Sequence, residues 1–319
     1  MRRNDYDVTD RIRTTDPGEV GAEVLRLHRA LYDDAPTSAI RRAFADLGRM
    51  YRGEHRDYLP CDTAYHDIQH VLDVTLAMAR LMDGYERSRN GFPALTAPCF
   101  ALGIISALFH DFGYLRRRAD RRHRFGAEYT LSHVTRGSRH LRRYLPRVGL
   151  RRYARTAATL VHYTGYERRA ETIPIGDTLL RRVGHMLGTA DIIAQMSDRC
   201  YLEKCRDRLY PEFVLGGLTH KRLPGGGTEI VFRSGADLVR KTPGFYVNAT
   251  KRLDLQLARA YEYAARHFGG QNLYLEEMQK NVQYAQHVPA TATADLLRRS
   301  PPQTLEEGVQ PYPEDLVIR

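Results

Sequence analysis

The stretch AYHDIQHVLDV, Ala64–Val74, places titratable side chains among apolar residues that recur with helical spacing. This period predicts an α-helix that begins near Thr63. His66, His70 and Asp73 stand at positions i, i+4 and i+7, so one face of the helix would present all three. A soluble protein has no packing reason to place two imidazoles and a carboxylate there, so the face is a candidate site.

Two further places set polar residues against strongly apolar sequence. CFALGIISALF, Cys99–Phe109, predicts a buried helix and runs directly into His110 and Asp111. Asp191 lies in the apolar context GHMLGTADIIAQMSD. Burying such groups is costly unless they are paired or bind a metal. Together with a helical histidine they form a mixed nitrogen and oxygen ligand set, which suits a divalent metal ion.

These three motifs in series resemble the HD-domain metal-dependent phosphohydrolases, and within them the class I cyclic-nucleotide phosphodiesterases. The family pattern is Tyr-His-Asn-x-x-His-Ala-x-Asp-Val, then His-Asp, then Ala-Asp. Its counterparts in this chain are Tyr65–Val74, His110-Asp111 and Ala190-Asp191. The resemblance covers roughly residues 50–215, and its force comes from the order of three motifs rather than from one dipeptide.

The resemblance implies a role for each matching residue. The metal ligands would be His70, His110, Asp111 and Asp191, with Asp111 bridging two ions. A hydroxide activated by the metal would attack phosphorus, and His66 would be the general acid that protonates the leaving oxygen. Glu128 is a candidate for the carboxylate that orients His66.

Four other positions are candidates with a structural alternative. His162 and Gln195 could serve the substrate or a second metal, although a lone histidine on an apolar helix is commonly a hydrogen-bonded core residue. Asp73 could orient a ligand histidine or pair with a surface arginine. Tyr114 stands where the family has a second-shell histidine, and the purine-binding glutamine of the family has no assigned counterpart. Cyclic-nucleotide specificity is therefore not transferred.

The chain is basic, with a formal net charge of +11 and a pI near 9.6. Much of this charge comes from paired arginines, at Arg116–Arg118, Arg121–Arg122, Arg142–Arg143, Arg151–Arg152, Arg168–Arg169 and Arg181–Arg182. Such a field attracts phosphates, whether of a small substrate, RNA or a membrane surface. The alternative is that each pair belongs to an ordinary solvated face. The interleaved tyrosines are too few and irregular for a nucleic-acid motif.

The fold expected is all-α, an HD-domain helical bundle with a short glycine-rich β or flap insertion and C-terminal helices. Helices are predicted at 18–57, 66–88, 99–109, 125–145, 149–165, 177–210 and 250–286. The expected organisation is an N-terminal helical segment at 1–57, the metal-binding catalytic domain at 58–215, a flap and helices packed on it at 216–287, and an extended tail at 288–319. The four cysteines form no CxxC pair, which favours free thiols.

The sequence therefore predicts a metal-dependent phosphohydrolase that hydrolyses a nucleotide phosphodiester or monophosphate with one or two divalent ions, Zn, Mn, Fe or Mg. The expected partner is a phosphorylated small molecule; nucleic acid and an oligomer are possible partners. The alternatives are a non-catalytic HD-fold sensor of a phosphorylated ligand or nucleic acid and, less favoured, a di-iron oxygenase. The polar N-terminus and the lack of a spanning apolar run predict a cytoplasmic protein.

Overall fold

The described part of the protein is mostly helical. In the computed structural model, residues 2–89, 91–223, 225–289, 293–313 and 316 are described. The α-helices are α1 Pro17–Tyr32, α2 Ser38–Tyr51, α3 Ile68–Arg87, α4 Ala97–Leu108, α5 His133–Tyr144, α6 Ala154–Leu160, α7 Thr178–Ser197, α8 Tyr201–Lys204, α9 Tyr210–Leu215, α10 Gly235–Leu255, α11 Glu262–His267, α12 Leu273–His287 and α13 Thr293–Leu296. The prediction of an all-α fold is confirmed.

Shorter helical pieces join these elements. Single 3-10 turns lie at Phe112–Tyr114, Gly126–Tyr129, Leu145–Val148, Arg151–Tyr153, Val161–Tyr163 and Ala170–Thr172, and a π-helical turn at Cys205–Leu209. The predicted glycine-rich insertion contains a small antiparallel pair, β1 His220–Arg222 and β2 Thr228–Ile230, in which Lys221 pairs with Glu229. Both strands are exposed along their length.

The centre of the bundle is α3, which packs against α1, α4, α7 and α11. α4 is apolar on every side and is buried from Cys99 to Leu108, as expected of a helix surrounded by others. Its start is fixed by Thr96, whose side chain accepts a hydrogen bond from the Cys99 amide. Gly84 allows α11 to approach α3, since a Cβ there would collide with the Tyr263 carbonyl.

Several predicted helix boundaries were wrong. The helix predicted at 18–57 is two helices, because the chain turns at Asp33, which has a positive φ of 45°, and continues through Pro36. The helix predicted at 177–210 ends at Ser197. α10 begins at Gly235, inside the segment predicted to be a flap. Of the predicted tail at 288–319, residues 290–292, 314, 315 and 317–319 lie outside the described residues.

One segment of the described residues, Ala97–Tyr114, is long and apolar enough to cross a membrane, with a mean hydropathy of 1.2. The expectation that the chain has no such run was therefore wrong. The segment contains α4, and 89% of it is buried inside the protein. Packing within the bundle accounts for its apolar composition.

Candidate metal centre

The first residues of the site come from the start of α3. Asp67 is the N-cap of this helix, and its Oδ1 accepts a hydrogen bond of 2.9 Å from the amide of His70. The helix begins at Ile68, later than predicted, so His66 lies before it rather than on its face. The cap fixes His70 in the first turn, with its buried side chain directed at the end of α4 and the middle of α7.

His110 and Asp111 follow directly after α4, and both are buried. His110 Nδ1 lies 2.7 Å from the carbonyl oxygen of Ala107. Because a carbonyl can only accept, Nδ1 carries the proton, and Nε2 of the neutral ring presents a lone pair to the centre. This is the tautomer that a metal ligand requires.

The candidate ligand atoms converge. His110 Nε2 lies 3.3 Å from His70 Nε2 and 3.8 Å from Asp191 Oδ1, and His70 Nε2 lies 3.5 Å from the same oxygen. Asp111 Oδ2 lies 3.3 Å from His70 Nε2 and 3.2 Å from His110 Nε2. Ligands held at about 2.1 Å from one ion are spaced by about 3.0–3.4 Å. The four predicted metal ligands are therefore together, and their spacing is close to that of a coordination shell.

The surroundings of the Asp111 carboxylate show whether a metal ion would fit. Asp111 Oδ2 is buried, and it makes no well-formed hydrogen bond with any described residue; its polar neighbours are His70 Nε2 and His110 Nε2, at 3.3 and 3.2 Å. A buried carboxylate oxygen without a hydrogen bond is incompletely satisfied, and a cation among these four side chains would complete its interactions. Burial alone would lower the pKa of His70, but the carboxylates of Asp111 and Asp191 raise it to about 10. The site thus attracts positive charge, and the donors suit a divalent transition metal.

His66 is held by a glutamate from a distant part of the chain. Its Nδ1 lies 2.5 Å from Glu212 Oε2, and Glu212 Oε1 accepts a hydrogen bond of 2.6 Å from the amide of Tyr65. Glu212, on α9, is fully buried. The ring of His66 lies 5.7 Å from that of His70, and its side chain remains 15% exposed. His66 is therefore beside the ligand cluster and accessible to a bound molecule.

The prediction that Glu128 orients His66 was wrong. Glu128 instead accepts hydrogen bonds from the amides of Arg124 and Phe125 and contacts Nδ1 of His123. Its place in the 3-10 turn Gly126–Tyr129 makes it a local cap, because its carboxylate satisfies amides that the turn leaves free.

His133, which belongs to none of the three sequence motifs, lies beside the centre. Its Nε2 is 3.5 Å from Asp111 Oδ1, and its Nδ1 lies 2.5 Å from the carbonyl oxygen of Thr130. Gly113 permits this approach, since a Cβ there would collide with the His133 carbonyl. The sequence distance between His110 and His133 does not predict their proximity, because the loop between them is irregular and rich in arginine.

The ring of Tyr114 packs against two imidazoles, whose own centroids lie 6.3 Å apart. Its centroid lies 4.4 Å from that of His66 and 4.5 Å from that of His133, each at an interplanar angle of 18°. The phenol is buried, and burial raises its pKa well above the ordinary value. A neutral ring at this position fixes the orientation of both imidazoles by packing.

The other candidate positions lie around the cluster. Gln195 accepts a hydrogen bond of 3.1 Å from the hydroxyl of Tyr65. His162 is buried, with Nδ1 2.8 Å from Glu167 Oε1, and is not among the converging ligand atoms. Burial and the charge of Asp198 raise the pKa of Asp73 to about 7. The roles predicted for these residues stay predictions.

No protein-family model and no curated protein matches the chain. Two solved structures of the phosphodiesterase domain of the rhodopsin phosphodiesterase from the choanoflagellate Salpingoeca rosetta resemble it. One has a TM-score of 0.51 and 13% identity, over 89% of this chain and 91% of that domain. The other has a TM-score of 0.48 and 12% identity, over 89% and 94%. The first likeness shows that this chain shares the fold of that phosphodiesterase domain.

Proposed function

We propose that this protein is a metal-dependent hydrolase of phosphoric esters, with a nucleotide as its substrate. The observation that carries the proposal is the convergence of His70, His110, Asp111 and Asp191 beside a histidine held by a buried glutamate. These four residues would hold the metal, which when bound neutralises phosphoryl oxygens and makes water acidic enough to act as a nucleophile at neutral pH.

His66 supplies the proton that the leaving oxygen needs. Glu212 accepts a hydrogen bond from Nδ1–H of His66, so Nε2 is the atom that faces a substrate and gives up its proton when the ester bond breaks. The stack on Tyr114 restricts the ring to one plane, which keeps Nε2 aligned.

A nucleotide fits the surroundings of the site. Tyr166 is 62% exposed and lies within electrostatic reach of Asp191. The guanidinium of Arg252 lies 4.1 Å above the Tyr166 ring, and the ring of Phe245 is 6.5 Å away. An exposed aromatic ring at the edge of a phosphate site offers a base a stacking surface.

The test combines metal content with turnover. Protein purified without chelators is subjected to elemental analysis, and hydrolysis of cyclic and linear nucleotides and of bis-p-nitrophenyl phosphate is followed by chromatography. We expect about one or two divalent ions per chain, loss of metal and activity in Asp111→Ala, and loss of about 10²–10⁴-fold in kcat with retained metal in His66→Ala. His123→Ala is the matched control.

The outcomes separate the alternatives. A wild type that holds metal but hydrolyses none of these esters would favour the non-catalytic sensor. Bound iron with an oxygen-dependent spectrum would favour an oxygenase. A wild type without metal would contradict the assignment of the four ligands.

A further inference from the structure

The positive charge of the chain is concentrated in one segment. Residues 116–155 contain fourteen arginines, no lysine and two acidic residues, Asp120 and Glu128. The segment therefore carries +12, whereas the whole chain carries +11 and the other 279 residues together carry −1. Arginine outnumbers lysine throughout the chain, so the distinctive feature of this segment is the clustering of its charges and not the use of arginine.

Most of these arginines are exposed and have no acidic partner. Twelve form what we call the basic surface: Arg117, Arg118, Arg121, Arg122, Arg124, Arg139, Arg142, Arg143, Arg147, Arg151, Arg152 and Arg155. Among the described residues, the one arginine of the segment that forms an ion pair with a carboxylate is Arg116, whose partner Asp62 lies at 2.9 Å. The hydrogen bonds of Arg118 and Arg121 go to backbone carbonyls, which do not neutralise their charge.

The two acidic residues of the segment do not neutralise the basic surface either. Asp120 accepts hydrogen bonds from the Tyr129 hydroxyl and the Arg122 amide. Glu128 is the local cap described above. Both carboxylates serve the structure of the loop rather than pairing with an exposed guanidinium.

The basic surface is continuous across several elements. α5 packs against α6 and against the 3-10 turn at Leu145–Val148, which in turn contacts the turn at Arg151–Tyr153. The buried side of α5 carries Val134, Leu141 and Tyr144, whereas Arg139, Arg142 and Arg143 of this helix are exposed. The ring of His140 lies within electrostatic reach of Arg147, Arg117 and Arg143, which joins the loop to the end of α5.

The surface is separate from the metal centre. His133 faces Asp111 from the start of α5, whereas Arg139, Arg142 and Arg143 lie on the exposed side of the same helix. None of the twelve arginines contacts a candidate metal ligand. A single nucleotide in the site would not use them, and so much unpaired charge calls for an extended anion.

We propose that the basic surface docks a nucleic acid through its phosphate backbone. A strip of exposed guanidinium groups matches the regular spacing of phosphates and gains free energy from the release of counterions. The mode is positioning rather than sequence reading, because the surface presents no series of exposed aromatic residues. The proposal does not depend on the activity proposed for the metal centre.

An anionic membrane is the less suitable partner. Helices that lie on membranes bury an apolar face that includes Trp, Phe or Leu. Here the apolar side of α5 is used by the protein core, and the one large hydrophobic side chain of the segment that is strongly exposed is Leu131, at 77%. A membrane would therefore be held only by attraction between the arginines and its anionic headgroups. A nucleic-acid backbone offers the same attraction through closely and regularly spaced phosphates.

The test measures binding of the full chain to a fluorescein-labelled 20-nucleotide single-stranded RNA and to a 20-base-pair DNA by anisotropy, at several salt concentrations. The variant combines Arg139→Glu, Arg142→Glu and Arg143→Glu. The control combines Arg29→Glu, Lys251→Glu and Arg266→Glu, exposed residues outside the segment that give the same change in net charge. A second variant with glutamine at 139, 142 and 143 removes charge without introducing acids.

We expect the wild type to bind at least one of the two probes, with an affinity that falls steeply with salt. The segment variant should lose at least tenfold in affinity and about two to three units of the salt slope. The control should keep most of its affinity. Absence of binding to both probes, or equal losses in the segment variant and the control, would overturn the proposal, as would tighter binding to vesicles of 30% phosphatidylserine at the same salt.

Discussion

At the scale of single residues, Glu212 reaches the site from a part of the chain that is far away in sequence. Its carboxylate accepts hydrogen bonds from Nδ1–H of His66 and from the backbone amide of Tyr65. A buried carboxylate with both oxygens used in this way fixes the position and the tautomer of the imidazole. The catalytic use of His66 should therefore depend on a residue that never touches the substrate.

Glu212→Gln tests this positioning role. The amide keeps the shape but removes the charge, and we expect kcat on bis-p-nitrophenyl phosphate to fall about 10–100-fold, with metal content and KM little changed. Glu128→Gln, a glutamate in the local cap near His123, is the matched control and should retain activity. If KM rises in parallel or the metal is lost, Glu212 is a structural support of the whole site and not a positioning residue of His66.

His140 provides a prediction on pH. Burial, together with the neighbouring Arg147, His55, Arg117 and Arg143, lowers the pKa of His140 to about 3. The unfolded chain would have an ordinary pKa of about 6.5, so between these two values the unfolded state binds more protons. Stability that is present above pH 6.5 is then lost as the pH falls towards 3.

The ring of His140 stacks on Phe112, with centroids 3.5 Å apart, so His140→Phe removes the titration while keeping a ring. Between pH 7 and pH 5, we expect the free energy of unfolding of the wild type to fall by about 1–2 kcal/mol more than that of the variant, measured by urea denaturation. Equal losses in the two proteins would mean that His140 is charged in both states or neutral in both.

At the scale of elements, the sequence predicted the centres of helices better than their ends. The helix that carries His70 was placed correctly, but its start was set too early, because Asp67 satisfies the first-turn amide and the period alone contains no sign of the cap. α10 was missed over its first 15 of 21 residues, since the predicted helix began only at position 250. Its start at Ser234-Gly235 lies in glycine-rich sequence, where the capping contact between the Ser234 side chain and the Asp237 amide outweighs propensity.

The site residues likewise divide into those that the sequence predicted and those that it did not. The candidate metal ligands could be predicted because the motifs place each one next to a strongly apolar run. Glu212 and His133 could not, since neither stands in such a context and each reaches the site through the tertiary fold. The C-terminal segment was expected to be an extended tail, yet the hydroxyl of Thr304 donates to Asp67 Oδ2 at 2.5 Å, a contact over 237 positions of sequence that local patterns cannot reveal.

At the scale of the whole molecule, the metal centre lies where the central helices meet. Its candidate ligands come from the first turn of α3, the end of α4 and the middle of α7, and these three helices pack on one another. Without a cation, Asp111 Oδ2 makes no hydrogen bond and has only imidazole nitrogens beside it, which is a cost to the native state. An ion held by all four side chains would both remove that cost and join the three helices.

Removal of metal should therefore destabilise the entire bundle. A ligand at about 100 times its Kd adds about 2.7 kcal/mol to the free energy of unfolding, so we expect a chelator such as EDTA to lower the Tm of the wild type by several degrees and added Zn²⁺ or Mn²⁺ to restore it. His66→Ala should show the same shift, because His66 is not a ligand, whereas Asp111→Ala should show little or none. A wild-type Tm that is indifferent to chelator and to added metal, in protein free of metal by elemental analysis, would contradict a cation site at the junction of α3, α4 and α7, since a bound ion at that junction must favour the folded state.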